Sequence, residues 1–303
     1  MTLDLAAALA LAAVAMAVPL MYAALGELIA EKAGVVNIGL EGLLLIGAFT
    51  AFAVAHTTGS NSAAVAATLT VGAAVGVAFA VLVVSRNANQ IVVGTALNLF
   101  AVGVTATAYR ALFGVTGTVL VVESSARLAL PGLSDIPLIG PALFRQTPLG
   151  YACFALVPAC AFLLRRTRVG LQLRMVGENP RAAAIQGIAV DKIRILALAA
   201  CGAIASAGGA FLALDYTHTF VEGMSSGRGF IALAIVILGR RHASGILAAS
   251  LLFGLATALQ FHFQALDFDI PFQFFLVLPY VATLLLLALS AGDTNAPAGL
   301  GKD

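Results

Sequence analysis

A-A-V-A-A-T-L-T-V-G-A-A-V-G-V-A-F-A-V-L-V-V (63–84) holds no charged residue and no helix breaker, and its two glycines, Gly72 and Gly76, stand four apart. A run of this length meets the roughly 20 apolar residues that a helix needs to cross about 30 Å of hydrocarbon. Comparable runs lie on either side, at about 5–25, 38–56, 91–113, 148–164, 193–214, 243–262 and 271–290. A shorter one, Phe230 to Gly239, is bounded by Gly227, Gly229 and Gly239 and reads as a short or broken helix buried in a bundle. The composition agrees: of 303 residues 61% are apolar and 10% charged, and mean hydropathy is +1.03. An ordinary soluble domain is about 45–50% apolar and about 25% charged, so this chain lacks the polar residues to cover a globule.

The expectation is an all-α integral membrane protein with about nine transmembrane helices. Residues 1–291 form a single transmembrane domain and 292–303 a short, polar, disordered tail. The first run ends in Gly26-Glu27 and has no basic start, so it is a mature helix and not a signal peptide. Orientation follows from Lys and Arg in the loops. With nine crossings and the 165–194 loop in the cytoplasm, twelve basic residues fall inside: Lys32, Arg86, Arg165, Arg166, Arg168, Arg174, Arg181, Lys192, Arg194, Arg240, Arg241 and Lys302. Four, Arg110, Arg127, Arg145 and Arg228, fall outside. That bias puts the N-terminus outside, the C-terminus inside, and the Gly- and Pro-rich segment 114–146 outside as a surface loop or docking surface.

Several strings imitate catalytic motifs without their context. Gly223-Met224-Ser225-Ser226-Gly227 fits a nucleophile elbow but precedes a buried helix instead of sitting in an α/β sheet. Gly227-Arg228-Gly229-Phe230-Ile231-Ala232 lacks the βαβ unit of a dinucleotide site, and Gly299-Leu300-Gly301-Lys302 lacks the first glycine and the closing Ser or Thr of a phosphate loop. The four histidines show no metal-ligand spacing. Cys153, Cys160 and Cys201 sit in apolar runs as small core residues. Neither catalytic, metal nor cofactor residues are expected, and no nucleic-acid partner.

Two polar stretches stand out. In Gly26 to Gly42, Glu27, Glu31 and Lys32 belong at the membrane surface, while Asn37 and Glu41, four apart, share one helical face. Glu41 falls about one turn inside the hydrocarbon, where a carboxylate needs a partner or water; it is either a cap for a broken helix or a group beside a transport path. Asn98, the other polar side chain within a span, suits a helix–helix hydrogen bond or that same path. The second stretch, 165–188, contains a short amphipathic helix: Asn179 caps it, Pro180 takes its first position, Ala182, Ala183 and Ala184 propagate it, and Gly187 ends it in a left-handed turn. Lying on the cytoplasmic face, it suits contact with a soluble partner.

G-E-L-I-A-E-K-A-G-V-V-N-I-G-L-E-G (26–42), R-T-R-V-G-L-Q-L-R-M-V-G-E-N-P-R-A-A-A-I-Q-G-I (166–188) and G-F-I-A-L-A-I-V-I-L-G-R-R-H-A-S-G (229–245) resemble the bacterial ABC importer permeases of the ribose and branched-chain amino-acid type. The first string is most similar to the subgroup that imports nucleosides and related simple sugars. Two departures stand out: the chain lacks the extra first helix of ribose permeases, and Arg240 and Arg241 occupy places where many relatives have small residues. The resemblance implies a half-transporter in the bacterial inner membrane. Its partners would be a second, different permease, a cytoplasmic ABC ATPase, and an external substrate-binding lipoprotein. The helix around Asn179 then matches the coupling helix that seats in the ATPase. Gly177, Glu178, Asn179, Pro180, Arg181, Ala182, Ala183 and Ala184 become the coupling residues, with the small alanines facing the groove and Glu178 and Arg181 fixing register. Asn37, Glu41 and Asn98 are the candidates for the path. The competing reading, a secondary transporter or channel, calls for intramembrane charge pairs or discontinuous helices; an intramembrane enzyme calls for a nucleophile–base or metal constellation that the spans lack.

Overall fold

Capping residues visible in the sequence set where five of the helices begin. The computed structural model of the chain describes residues 2–114, 119–132, 134, 136, 139–265, 277, 281 and 296–301. Helix α1 runs Thr2–Lys32, α2 Leu40–Thr58, α3 Asn61–Ala80 and α4 Gln90–Phe113. Three short elements follow, β1 (Leu128–Ala129), α5 (Ile139–Phe144) and β2 (Arg145–Gln146), then α6 (Pro148–Arg166), α7 (Arg168–Glu178) and α8 (Pro180–Ile185). The rest is α9 (Val190–Phe211), α10 (Arg228–Leu238) and α11 (Ala243–Ala265). Ser60, Asn89, Thr147, Thr167 and Asn179 each turn a side-chain oxygen onto the first-turn N–H groups of α3, α4, α6, α7 and α8. These caps satisfy donors that a helix cannot satisfy for itself. α3 and α9 each end in a π-helical turn, Val81–Ser85 and Leu212–Tyr216.

Seven of these helices are long and apolar enough to cross a membrane, with α10 as a shorter apolar one. They match eight of the nine expected runs; the ninth, 271–290, lies outside the described residues. α1 is longer than the 5–25 run, because the polar residues to Lys32 continue it as helix.

α9 is the hub, packed against α1, α2 and α3, and α1 also carries α10 and α11. Between α3 and α9 the backbones touch: a Cβ on Gly72 would lie 2.5 Å from the Gly202 carbonyl, and one on Gly202 would lie 2.2 Å from the Gly72 carbonyl. The G-x-x-x-G spacing is therefore a packing seam, as small-residue faces are where lipid supplies no hydrophobic drive between helices. Cys153, Cys160 and Cys201 are buried thiols. α4 and α6 turn apolar side chains outward, among them Leu99, Phe100 and Phe162. At one end of the bundle the 119–132 segment lies over 217–222: Val122 N donates to His218 O at 2.9 Å and Thr219 Oγ1 to Leu120 O at 2.8 Å. Beneath it Phe49, Phe52, Tyr109, Phe113 and Phe220 form one aromatic cluster.

Candidate functional site

Two places gather the unusual polar residues. The first is where α2 and α10 begin. Glu27 and Glu31 lie on α1, and the structure buries both, against the expectation of surface carboxylates. Their partners come from far along the chain: Glu27 accepts from Asn37 N at 2.9 Å, and Glu31 forms a buried ion pair with Arg241 of the α10–α11 turn. Asn37 and Glu41 do not share a helical face. Gly34, at φ +86°, turns the chain after α1, and residues 33–39 are non-helical, leaving Asn37 ahead of α2. There its Oδ1 accepts from Gly39 N at 2.9 Å, and its Nδ2 reaches Cys201 Sγ at 3.7 Å. Asn98 bridges α4 to the same place. Its Oδ1 accepts from Gly42 N at 2.8 Å and its Nδ2 donates to Ile38 O at 3.0 Å. So Asn37 and Asn98 supply a cap for α2 that its own boundary residue, Gly39, cannot give.

Glu41 does the corresponding work for α10. Its two carboxylate oxygens accept from Gly227 N and Gly229 N, each at 2.7 Å. The approach is close enough that a Cβ on Gly229 would lie 2.3 Å from Glu41 N. Two helix N-termini, each carrying roughly half a positive charge, thus abut, and one carboxylate stands between them. Arg228, read as a cation of the loop before α10, is its first residue, with Nη1 donating to Met224 O at 2.9 Å. Because the 217–227 segment before α10 is non-helical, the crossing is broken, as the flanking glycines imply.

Changing Glu41 to Gln is expected to cost about 1–3 kcal/mol of stability, because an NH₂ must face one of two buried N–H donors. Uptake should fall with it. Thermal unfolding in detergent and uptake in cells check this, and an unchanged variant in both assays would reduce Glu41 to an interfacial carboxylate.

The second place is the helix pair α7–α8. Only the shorter helix was expected; α7 is an additional, amphipathic one. Asn179 Oδ1 accepts from Ala182 N at 3.0 Å, Pro180 opens α8, and Gly187 closes it at φ +81°, with Ile188 N bonded to Ala183 O at 3.1 Å. The coupling candidates divide. Gly177 faces the chain itself, where a Cβ would lie 2.4 Å from Lys32 O. Ala183 is also buried, against the expectation that it faces a groove, because α8 leans on α7 and α9 through that side. Glu178, Arg181, Ala182 and Ala184 are exposed. Beyond them stands Ile185, 88% exposed, which the sequence reading missed. The tail is not disordered throughout: Gly299 N donates to Gly177 O at 2.9 Å, Gly301 N to Gly34 O at 3.2 Å and Ala298 N to Glu178 Oε2 at 3.1 Å. The turn at Gly34 therefore touches the helix pair, and three residues later Asn37 touches the capped helix starts. A second missed residue is Asp215, buried on the π-helical turn after α9, with Ser125 and Thr147 beside its carboxylate. It lies just past the 193–214 run, at a place where a span was expected simply to end. Among the described residues no cluster of three or more His, Cys, Asp or Glu could hold a metal ion.

These features sit in a chain whose residues 9–289 match the family model described as "Branched-chain amino acid transport system / permease component", and the chain belongs to that family. It is a permease subunit of an ABC transporter, a kind of system in which the ATPase is a separate subunit. Two relatives are similar almost end to end and a third over a shorter stretch. "Guanosine ABC transporter permease protein NupQ" of Bacillus subtilis (strain 168) is 37% identical, over 94% of this chain and 92% of its own. "Nucleoside ABC transporter permease protein NupC" of Lactococcus lactis is 36% identical, over 93% and 92%. "Glucose ABC transporter permease protein TsgB13" of Haloferax volcanii is 30% identical, over 78% and 65%. The same Bacillus and Lactococcus strains each have another permease of like name, NupP and NupB, matched over only 31% of this chain. No solved structure matches the chain significantly.

Proposed function

We propose that this chain is one of two non-identical permeases of an importer in a bacterial cytoplasmic membrane, passing a nucleoside or related simple sugar handed over by an external binding protein. The observation that carries the reading is the end-to-end similarity to two permeases named for guanosine and nucleosides. The pairing of unlike subunits rests on the second, partial matches in the same two organisms. ATP-driven work enters through α8, whose exposed Arg181, Ala182, Ala184 and Ile185 face the ATPase. It passes along α7 to Gly177 and Gly34, and from the 33–39 turn to the starts of α2 and α10. Asn37, Glu41 and Asn98 hold those starts in place, and Glu41, half-buried beside a broken helix, is the one of the three nearest in character to a path residue.

Uptake of labelled guanosine, uridine and glucose, with and without the gene, tests the substrate class. Nucleoside uptake should disappear with the gene and with an inactive partner ATPase. The broken helix and the buried Glu31–Arg241 pair are also features of secondary transporters, so uptake that survives the loss of the ATPase and collapses with a protonophore would favour that alternative.

Orientation is testable separately. The basic residues on the α6–α9 connection put it in the cytoplasm and the 114–146 segment outside. Cysteines placed at the exposed positions Ser124 and Ala184 should react from opposite sides of intact cells. Labelling of both from one side would overturn the topology.

A further inference from the structure

At the end of the bundle that carries α7 and α8, four cations surround one cavity of about 540 Å³. Lys32 comes from the end of α1, Arg165 from the end of α6, Arg174 from α7 and Arg241 from the α10–α11 turn. Two carboxylates, Glu178 in the lining and Glu31 behind Arg241, are both engaged. Glu31 is paired with Arg241, and Glu178, in the cavity wall, accepts from Ala298 N at 3.1 Å. Lys32 feels the charge of both Glu31 and Glu178, yet the four cations outnumber the two carboxylates. Among the described residues Lys32 and Arg165 form no ion pair or hydrogen bond, and Arg174 uses only its Nε, on Gly170 O at 3.4 Å. Like charges brought together around a partly enclosed space repel, and an anion between them removes the repulsion.

Two further observations say what kind of anion. Ala243 and Ser244, the first residues of α11, lie in the same wall, so the N-terminus of a long helix borders the cavity. Guanidinium forks, an ammonium and a helix N-terminus together match the oxygens of a phosphate. Ala161 and Leu164 of α6 add apolar surface to the lining, and Phe162 on the same helix is 63% exposed. We infer that this cavity binds a phosphate group, supplied either as the headgroup of an anionic phospholipid or by a soluble phosphomonoester. The site adjoins the proposed coupling route, sharing Arg174 and Glu178 of α7 with it, and does not depend on what the transporter carries.

The test measures thermal unfolding of the full-length chain in detergent, with any co-purifying subunits retained, since a ligand of the native state raises the unfolding temperature by mass action. Four probes are added at constant ionic strength: phosphatidylglycerol, phosphatidylcholine, adenosine monophosphate and chloride. A saturable upward shift with phosphatidylglycerol but not phosphatidylcholine assigns a lipid headgroup, and one with adenosine monophosphate but not chloride assigns the soluble source. In Arg165→Gln/Arg174→Gln, whose changed side chains are exposed, the half-saturating concentration should rise about tenfold or more, as expected for losing two charge-assisted contacts. Arg86→Gln, an exposed change at the end of α3, should respond like the parent. The inference is overturned if neither phosphate probe exceeds its control, if the double variant responds like the parent, or if Arg86→Gln weakens the shift as much.

Discussion

Changing Ile185 to Asp is expected to give a folded permease that no longer retains its ATPase on purification and no longer imports substrate. Ile185 closes a six-residue helix and is 88% exposed, so its apolar surface contributes nothing to the permease's own core. A large aliphatic group held out on a short, capped helix is the form an interface anchor takes, and truncating a central anchor typically costs about 2 kcal/mol or more, a factor of about 30 in affinity. An aspartate adds the burial of an unpaired charge to that loss. Ala183 provides the contrast. Because it is buried within the permease, Ala183→Asp should lower the yield of folded protein instead of selectively releasing the ATPase. Co-purification, ATP hydrolysis in response to the loaded binding protein, and uptake together separate the two outcomes. Normal uptake by the Ile185→Asp variant removes α8 from the coupling route.

The second large effect is expected at Glu31 and Arg241. Both are buried, and their ion pair joins α1 to the turn between α10 and α11. Removing one member of a buried pair leaves an uncompensated charge, at a cost of roughly 3–5 kcal/mol. Glu31→Leu should therefore lower the unfolding temperature sharply. Arg241 adopts φ +54°, in the left-handed region where glycine is relaxed and arginine strained. The pair Glu31→Leu/Arg241→Gly removes both charges and that strain, so it should recover most of the loss. If the single variant is as stable as the parent, or the double variant is no better than the single one, the pair does not hold this turn.

What could be read from the sequence were features that a few neighbouring residues determine. Asn179, Pro180 and Gly187 specify the start and stop of α8 within nine residues, and Gly72 and Gly76 announce a close-packed face. What could not be read were partners brought together by the fold. Glu27 and Glu31 look like surface charges because their partners, the Asn37 N–H and Arg241, arrive from 10 and 210 residues away. The spacing of Asn37 and Glu41 suggested one helix because Gly34 gives no sign that the chain stays irregular for five residues more. Glu41 as a cap was one of two open readings, and its distance of 186 residues from Gly227 explains why spacing alone could not decide. Ile185 was overlooked because a lone aliphatic beside alanines reads as core, and only the packing of Ala183 against α7 and α9 shows which side of α8 faces away.

The tail at 296–301 has a consequence for the order of biosynthesis. Gly177 and Glu178 receive hydrogen bonds from Gly299 and Ala298, the second of these 120 residues further along the chain. During translation α7 and α8 leave the ribosome long before the segment that braces them. The end of α7 acquires its final form only once Ala298 and Gly299 have been made, so until then the α7–α8 pair of the nascent chain is without its brace.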